Sequence, residues 1–176
     1  MQCFAGLIVL TSQGVPFLHS GQEFCRTKRG HRNSYNAPDD INRIDWSLKQ
    51  TNREVFEYYR GLIALRRAHP VFRLRTGDEV RRRLSFIDRV PHPKCIAYTL
   101  DGSDLPGEDW PRALVLLNGD SADQSFSLPD GRWQVYADHQ HASTTPTREA
   151  AGSVTVAPHS GTVLSLSRQE PHDAEK

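Results

Sequence analysis

The hydrophobic pattern divides the chain into two halves of different character. Met1 to Ser12 is apolar or small at almost every position, which a helix with one wet face would not allow, so it reads as the end of a buried helix. Gln13-Gly14 interrupts it, Val15 to Leu18 form an apolar run of strand length, and His19-Ser20-Gly21 close that run. From Gln22 to Gln50 the periodicity dissolves into Arg, Asn, Asp, Gly and Pro. An unpatterned stretch of that length inside a compact domain is uncommon unless it works as a functional loop.

Thr51-Asn52-Arg53-Glu54 has the spacing of a capping box, in which Thr and Glu side chains serve orphan amides of a helix start. Behind it Val55, Phe56, Tyr59, Leu62, Ile63 and Arg66 recur at helical intervals, with Leu65 beside the stripe. Pro70 disfavours helical backbone at His69, which places the helix end near Ala68. A second box, Thr76-Gly77-Asp78-Glu79, opens a shorter helix towards Leu84. Beyond it come short strand-like runs: Phe86-Ile87, Cys95 to Leu100, Ala113 to Leu117, Ser125 to Leu128, Trp133 to Ala137, Ser153 to Val156 and Thr162 to Leu166. Turn signals such as Asp101-Gly102, Asn118-Gly119-Asp120 and Pro129-Asp130-Gly131 separate them, which predicts an antiparallel β-sandwich. The first half instead reads helix, strand, loop, helix: one β/α unit, with its loop at the carboxyl end of the strand, where αβ-barrels place binding groups. One such unit cannot close a barrel or bury its own apolar faces.

Composition narrows the function classes. With 176 residues, 22 basic and 21 acidic side chains and a net charge of +1, the chain holds one domain or parts of two and lacks the basic excess that a phosphate backbone demands. No nucleic-acid partner is expected. Its longest apolar run, Cys3 to Leu10, is too short to span a bilayer and lacks the basic flank of a signal peptide, so no membrane role is expected. Cys3, Cys25 and Cys95 are scattered thiols without framework spacing, which points to a reducing, cytoplasmic setting. His139-Gln140-His141, two histidines in a turn-rich stretch, reads as solvated, and no metal site is expected.

Gly14-Val15-Pro16-Phe17-Leu18-His19-Ser20-Gly21-Gln22-Glu23 fits G-x-P-x-x-x-x-G-x-E and resembles the last-strand signature of the α-amylase superfamily of (β/α)8-barrel glycoside hydrolases. Phe24-Cys25-Arg26-Thr27-Lys28, Asn33 to Asp39 and Ile44-Asp45-Trp46 resemble, within it, the pullulanase type I branch, which cleaves α-1,6 bonds of pullulan and branched glucans. The resemblance is dense over residues 13–73 and architectural over 84–168. It implies two parts, residues 1–75 as the incomplete C-terminal end of a TIM-barrel catalytic domain and 76–168 as a C-terminal antiparallel β-sandwich; the polar residues 169–176 read as a disordered tail. Met1 then falls inside the helix before the last barrel strand.

The family's catalytic Asp, Glu and Asp come from earlier barrel strands, so the resemblance implies no catalytic residue here and no hydrolysis by this chain alone. Retaining glycoside cleavage needs two carboxyl groups about 5 Å apart across the scissile bond. The superfamily often places an Asp, and an Arg four residues later, against a glucose beside the cleavage point; Asp39 and Arg43 have that spacing. A carboxylate accepts from sugar hydroxyls and Arg donates in a fixed fork. Asn33, Tyr35 and Asn36 are further candidate glucan contacts, through amide bonds and aromatic stacking. Expected partners are an α-glucan (pullulan, or glycogen- or starch-derived) and an upstream barrel segment, in cis or in trans. No organic cofactor is implied, and a calcium ion is left open. Two other readings are a non-catalytic carbohydrate-binding β-sandwich, with Trp110, Trp133 and Tyr136 as its aromatics, and a remnant without function.

Overall fold

The computed structural model describes residues 1–167. Helix α1 (Gln2–Thr11) leads into a turn and a short 3-10 turn (Gln22–Phe24), followed by the one-turn helices α2 (Asp39–Asn42) and α3 (Leu48–Thr51). Helix α4 (Arg53–Ala68) is the long one, and a 3-10 turn (Pro70–Phe72) and α5 (Gly77–Arg83) carry the chain to eight strands. These are β1 (Leu84–Phe86), β2 (Cys95–Asp101), β3 (Arg112–Asn118), β4 (Gln124–Ser127), β5 (Trp133–Ala137), β6 (Arg148–Ala150), β7 (Ser153–Val156) and β8 (Ser160–Leu166).

Six strands form one sheet in the order β1-β2-β3-β8-β5-β6, and β4 and β7 form a separate ribbon; every pairing is antiparallel. The sheet is buried on both faces. On one side Cys95, Ala97, Leu114, Leu116, Val135 and Leu164 meet the ribbon's Phe126, Val154 and Val156. On the other, Tyr98, Leu100, Ala113, Val115, Leu117 and Val163 meet Leu7 and Leu10 of α1 and Tyr59, Leu62 and Leu65 of α4. This explains why β3 reads Ala-Leu-Val-Leu-Leu without alternation: a strand covered twice is apolar on both faces. The edge strands β1 and β6 are only three residues long and mostly exposed, and β6 (Arg-Glu-Ala) is polar, which blunts the sheet edges. The sandwich therefore exists as a sheet and a ribbon, and the helical half roofs the sheet's free face, so one core cluster draws residues from both sides of position 75.

One irregularity sets that arrangement. Val135 lies opposite Leu164 and Ala137 opposite Val163, so Tyr136 is an extra residue, a β-bulge. Trp133 and Val135 belong to the ribbon-side core, yet Ala137, which strict alternation would send the same way, belongs to the helix-side core.

The α5 box forms as expected, Thr76 accepting from the Glu79 amide and Glu79 from the Thr76 amide. The box expected at Thr51 does not. The Thr51 hydroxyl is spent on the Ser47 carbonyl inside α3, and α4 starts after Asn52 with no side-chain cap. On α4 the buried stripe includes Tyr58 and Leu65, while Ile63 faces outward. The strand expected at 15–18 pairs with no other strand: Val15 is 96% and Phe17 84% exposed. The tail expected at 169–176 lies outside the described residues. No helix among the described residues is long and apolar enough to cross a membrane.

Candidate functional site

The unpatterned stretch is ordered by polar bonds from a few side chains. Gly21 sits at φ 88, in the left-handed region, and a Cβ there would lie 2.7 Å from the Arg26 Cβ, so this turn requires glycine. Arg26 donates to the Ser20 carbonyl (3.1 Å) and to the carbonyl of Asn42. Lys28 donates to the Asn42 amide oxygen (2.6 Å), and the Asn42 amide nitrogen donates to the carbonyls of Ser34 and Ala37, both at 2.7 Å. The Arg43 amide donates to the Asp39 carbonyl (2.7 Å), closing the turn of α2.

On this frame the expected contacts all face outward. Asn33, Tyr35, Asn36, Asp39 and Arg43 are exposed, Tyr35 at 83%. The Asn33 side-chain oxygen accepts from the Tyr35 amide (3.5 Å), and Asp39 and Arg43 form no ion pair with each other. Asp40 instead pairs with Arg29 (3.3 Å). Asp45 accepts from the hydroxyl (2.5 Å) and amide (3.0 Å) of Ser47, bonds that hold its carboxyl below the ordinary carboxylate range. Trp46 touches Phe24, ring centroids 5.7 Å apart, and is still 67% exposed. Open, hydrogen-bond-capable side chains beside exposed aromatic faces are what a pyranose chain needs from one side of a cleft. Nothing in the loop pairs two carboxyl groups through a shared partner.

A second polar cluster escaped the sequence reading. Glu108, on the loop between β2 and β3, has a side chain with no exposed surface. One of its oxygens accepts from the Asp109 (3.1 Å) and Trp110 (3.0 Å) amides, and the other accepts from the Val71 amide (2.9 Å). His69 Nδ1 lies 2.8 Å from it and 3.2 Å from Asp109, its ring stacked on Trp110 at 3.6 Å. Burial pushes the Glu108 carboxyl up, but the bonds from His69, Val71 and Trp110 outweigh it and leave it below the ordinary range. An ionised carboxylate only accepts, so Nδ1 of His69 carries the hydrogen between them. His69, Glu108 and Asp109 are the one group of three metal-ligand types among the described residues. With its oxygens already taken by N–H donors, Glu108 serves as an anchor between the end of α4 and the 102–111 loop. Only position in the fold reveals this role; Gly107-Glu108-Asp109 reads in the sequence as an ordinary turn.

The aromatics offered for a binding face on the sheet are largely buried: Trp133 entirely, Trp110 nearly so, with Tyr136 half-exposed. They form core, and no pair of them makes an open platform. His139 and His141 sit in a turn whose amides are held by Asp138.

Comparison with known proteins agrees with the folded parts. Residues 80–141 match the family model described as pullulanase, all-beta domain. The chain is 43% identical over 129 residues to the pullulanase of Bacillus subtilis (strain 168), covering 73% of this chain and 18% of that protein. Among solved structures, the pullulanase from Bacillus acidopullulyticus superposes with a TM-score of 0.87 at 34% identity, covering 94% of this chain and 20% of that one. The pullulanase from Anoxybacillus sp. LM18-11, solved in complex with maltotriose, gives 0.82 at 38% identity, covering 94% and 22%. The chain thus spans about a fifth of the relatives it matches.

Proposed function

We propose, for a chain that belongs with the pullulanases among the glucan-debranching glycoside hydrolases and carries their all-beta domain, that it supplies one wall of a glucan site whose catalytic carboxylates lie on a barrel segment, in cis or in trans. In this reading residues 1–75 are the last β/α unit of a (β/α)8 barrel and 76–168 the sandwich that braces it. The observation that carries it is the run 15–18: apolar, unpaired and open to solvent, as a barrel strand is when its neighbours are elsewhere. Beside it a mainly apolar groove, lined by Leu10, Val15, Pro16, Leu18, Ile63 and Leu74 together with Arg66, Arg67, Arg73 and Arg75, has the character of a surface meant to be covered.

The substrate class is an α-glucan with α-1,6 branch points. A relative solved with maltotriose supports glucose oligomers as the ligand chemistry. Asp39 and Arg43, uncommitted to each other, accept from and donate to hydroxyls of one glucose, with Tyr35 offering a ring face and Asn33 and Asn36 amides. Assembly of this chain with a pullulanase barrel segment ending before the residue-1 equivalent should restore pullulan hydrolysis. Each charged hydrogen bond to substrate contributes about 1.5–3 kcal/mol, so Asp39→Ala and Arg43→Ala should each lower kcat/KM by about 10- to 150-fold. Unaltered kinetics in both variants would remove these residues from the site.

A further inference from the structure

The candidate contacts sit on two separate pieces of backbone, 33–36 and α2, and something must hold the two at a fixed spacing. Asn42, the last residue of α2, does so with its whole hydrogen-bonding capacity. A side-chain amide has two N–H donors and one acceptor oxygen. Both donors are used on the Ser34 and Ala37 carbonyls, and the oxygen accepts from Lys28. Its backbone carbonyl in addition accepts from Arg26, whose other nitrogen reaches the Ser20 carbonyl at the end of the apolar run. Three stretches of chain (26–28, 34–37 and α2) therefore meet at one half-buried residue, with Ser20 tied in through Arg26, while every proposed sugar contact stays exposed at the surface.

We propose that Asn42 is a positioning residue for glucan binding: it holds the Tyr35 and Asn36 stretch in register with Asp39 and Arg43. The inference rests on the glucan-binding reading above. A loop pinned before ligand arrives does not lose that ordering entropy on binding, so the bonds of Asn42 appear as affinity although it touches no sugar. Asn42→Asp separates this role from bulk. The aspartate keeps an acceptor for Lys28 and turns the donor that faces two carbonyls into a second acceptor, releasing 34–37 from α2. Lys28→Met removes the third bond alone.

The test is titration of the 176-residue chain with maltotetraose by NMR, for wild type, Asn42→Asp, Lys28→Met and Asp39→Ala, with thermal midpoints and amide exchange across 26–43 measured alongside. Asn42→Asp should weaken binding about 10-fold and Lys28→Met about 2- to 3-fold. The thermal midpoint should hold within about 2 °C, and exchange should quicken at 34–37. Unchanged affinity in Asn42→Asp beside a loss in Asp39→Ala overturns the positioning role and leaves the glucan site standing. A fall in thermal midpoint as large as that of a core variant also overturns it, because Asn42 would then be a structural tie. If neither wild type nor Asp39→Ala responds to the sugar, the glucan site itself falls, and the inference with it.

Discussion

Replacing Glu108 is the sharpest test of how the two halves are joined. Its carboxylate is sealed from solvent and is the acceptor for the Val71, Asp109 and Trp110 amides as well as the neighbour of His69. Glu108→Ala leaves those donors without a partner, and each buried unsatisfied group costs about 1–3 kcal/mol. Asp109 lies at the surface, so water can serve its amide, and a total of about 3–5 kcal/mol agrees with the cost of breaking a buried charged pair. For a chain of this size about 2–4 °C of thermal midpoint follows each kcal/mol, which gives a fall of roughly 6–20 °C. Glu108→Gln keeps one acceptor oxygen and turns an NH2 towards an N–H, so its loss should fall between, at about 1.5–3 kcal/mol. Urea unfolding at pH 7, followed by tryptophan fluorescence, measures both, since Trp110 stacks directly on His69. A loss below 1 kcal/mol for Glu108→Ala would refute the anchor.

Two further perturbations follow from the same structure. Asp120 is held at about 2 by the Lys94 ammonium (2.9 Å) and the Ser121 amide, against about 3.9 unfolded; its contribution is present above pH 4 and lost as pH falls from about 4 towards 2. The stability of Asp120→Asn, followed by acid titration of the unfolding midpoint, should therefore slope less than that of wild type across this window, and equal slopes would contradict the pairing. Gly61 faces the 138–142 loop so closely that a Cβ would stand 1.9 Å from the Ala142 carbonyl oxygen. Gly61→Ala should cost about 1–2 kcal/mol net in chemical denaturation, where an open helix position would gain about 1 kcal/mol; a stabilised variant would mean the loop stands off α4.

Most strands could be read because they are short apolar or alternating runs punctuated by glycine-bearing turns; β7, Ser-Val-Thr-Val, alternates as the sheet geometry requires, while β3 and β8 are continuous apolar or small runs covered on both faces. Strand β6 was missed because Arg-Glu-Ala at a sheet edge carries no apolar signal. The helix at 53–68 and its end before Pro70 were legible, its cap was not: Thr51 is the last residue of α3 with its own backbone already helical, and α4 starts one residue later than a box at Thr51 requires. The candidate sugar contacts were read from a motif and are found exposed. Their support, Asn42, and the anchor, Glu108, were invisible, since a polar residue in a loop gains its role only from backbone groups brought to it by the fold. The buried Trp110 and Trp133 show the converse, aromatic residues whose chemistry suits a sugar and whose position denies it.

The extra residue at Tyr136 acts on β5 as a half-period phase shift. Upstream of it the strand is in step with the ribbon, downstream with the helices, so one segment of five residues serves two cores that regular alternation would keep apart. A single-residue deletion at Tyr136 should thus behave unlike one elsewhere in β5: it removes the extra residue and leaves Ala137 opposite Val163 on the helix side, whereas deletion of Gln134 would force Trp133 and Val135 onto opposite faces. Length upstream of the bulge is as strictly specified as composition, and among homologous chains gaps should avoid 133–135 more than they avoid Tyr136 or the 138–147 turn beside it.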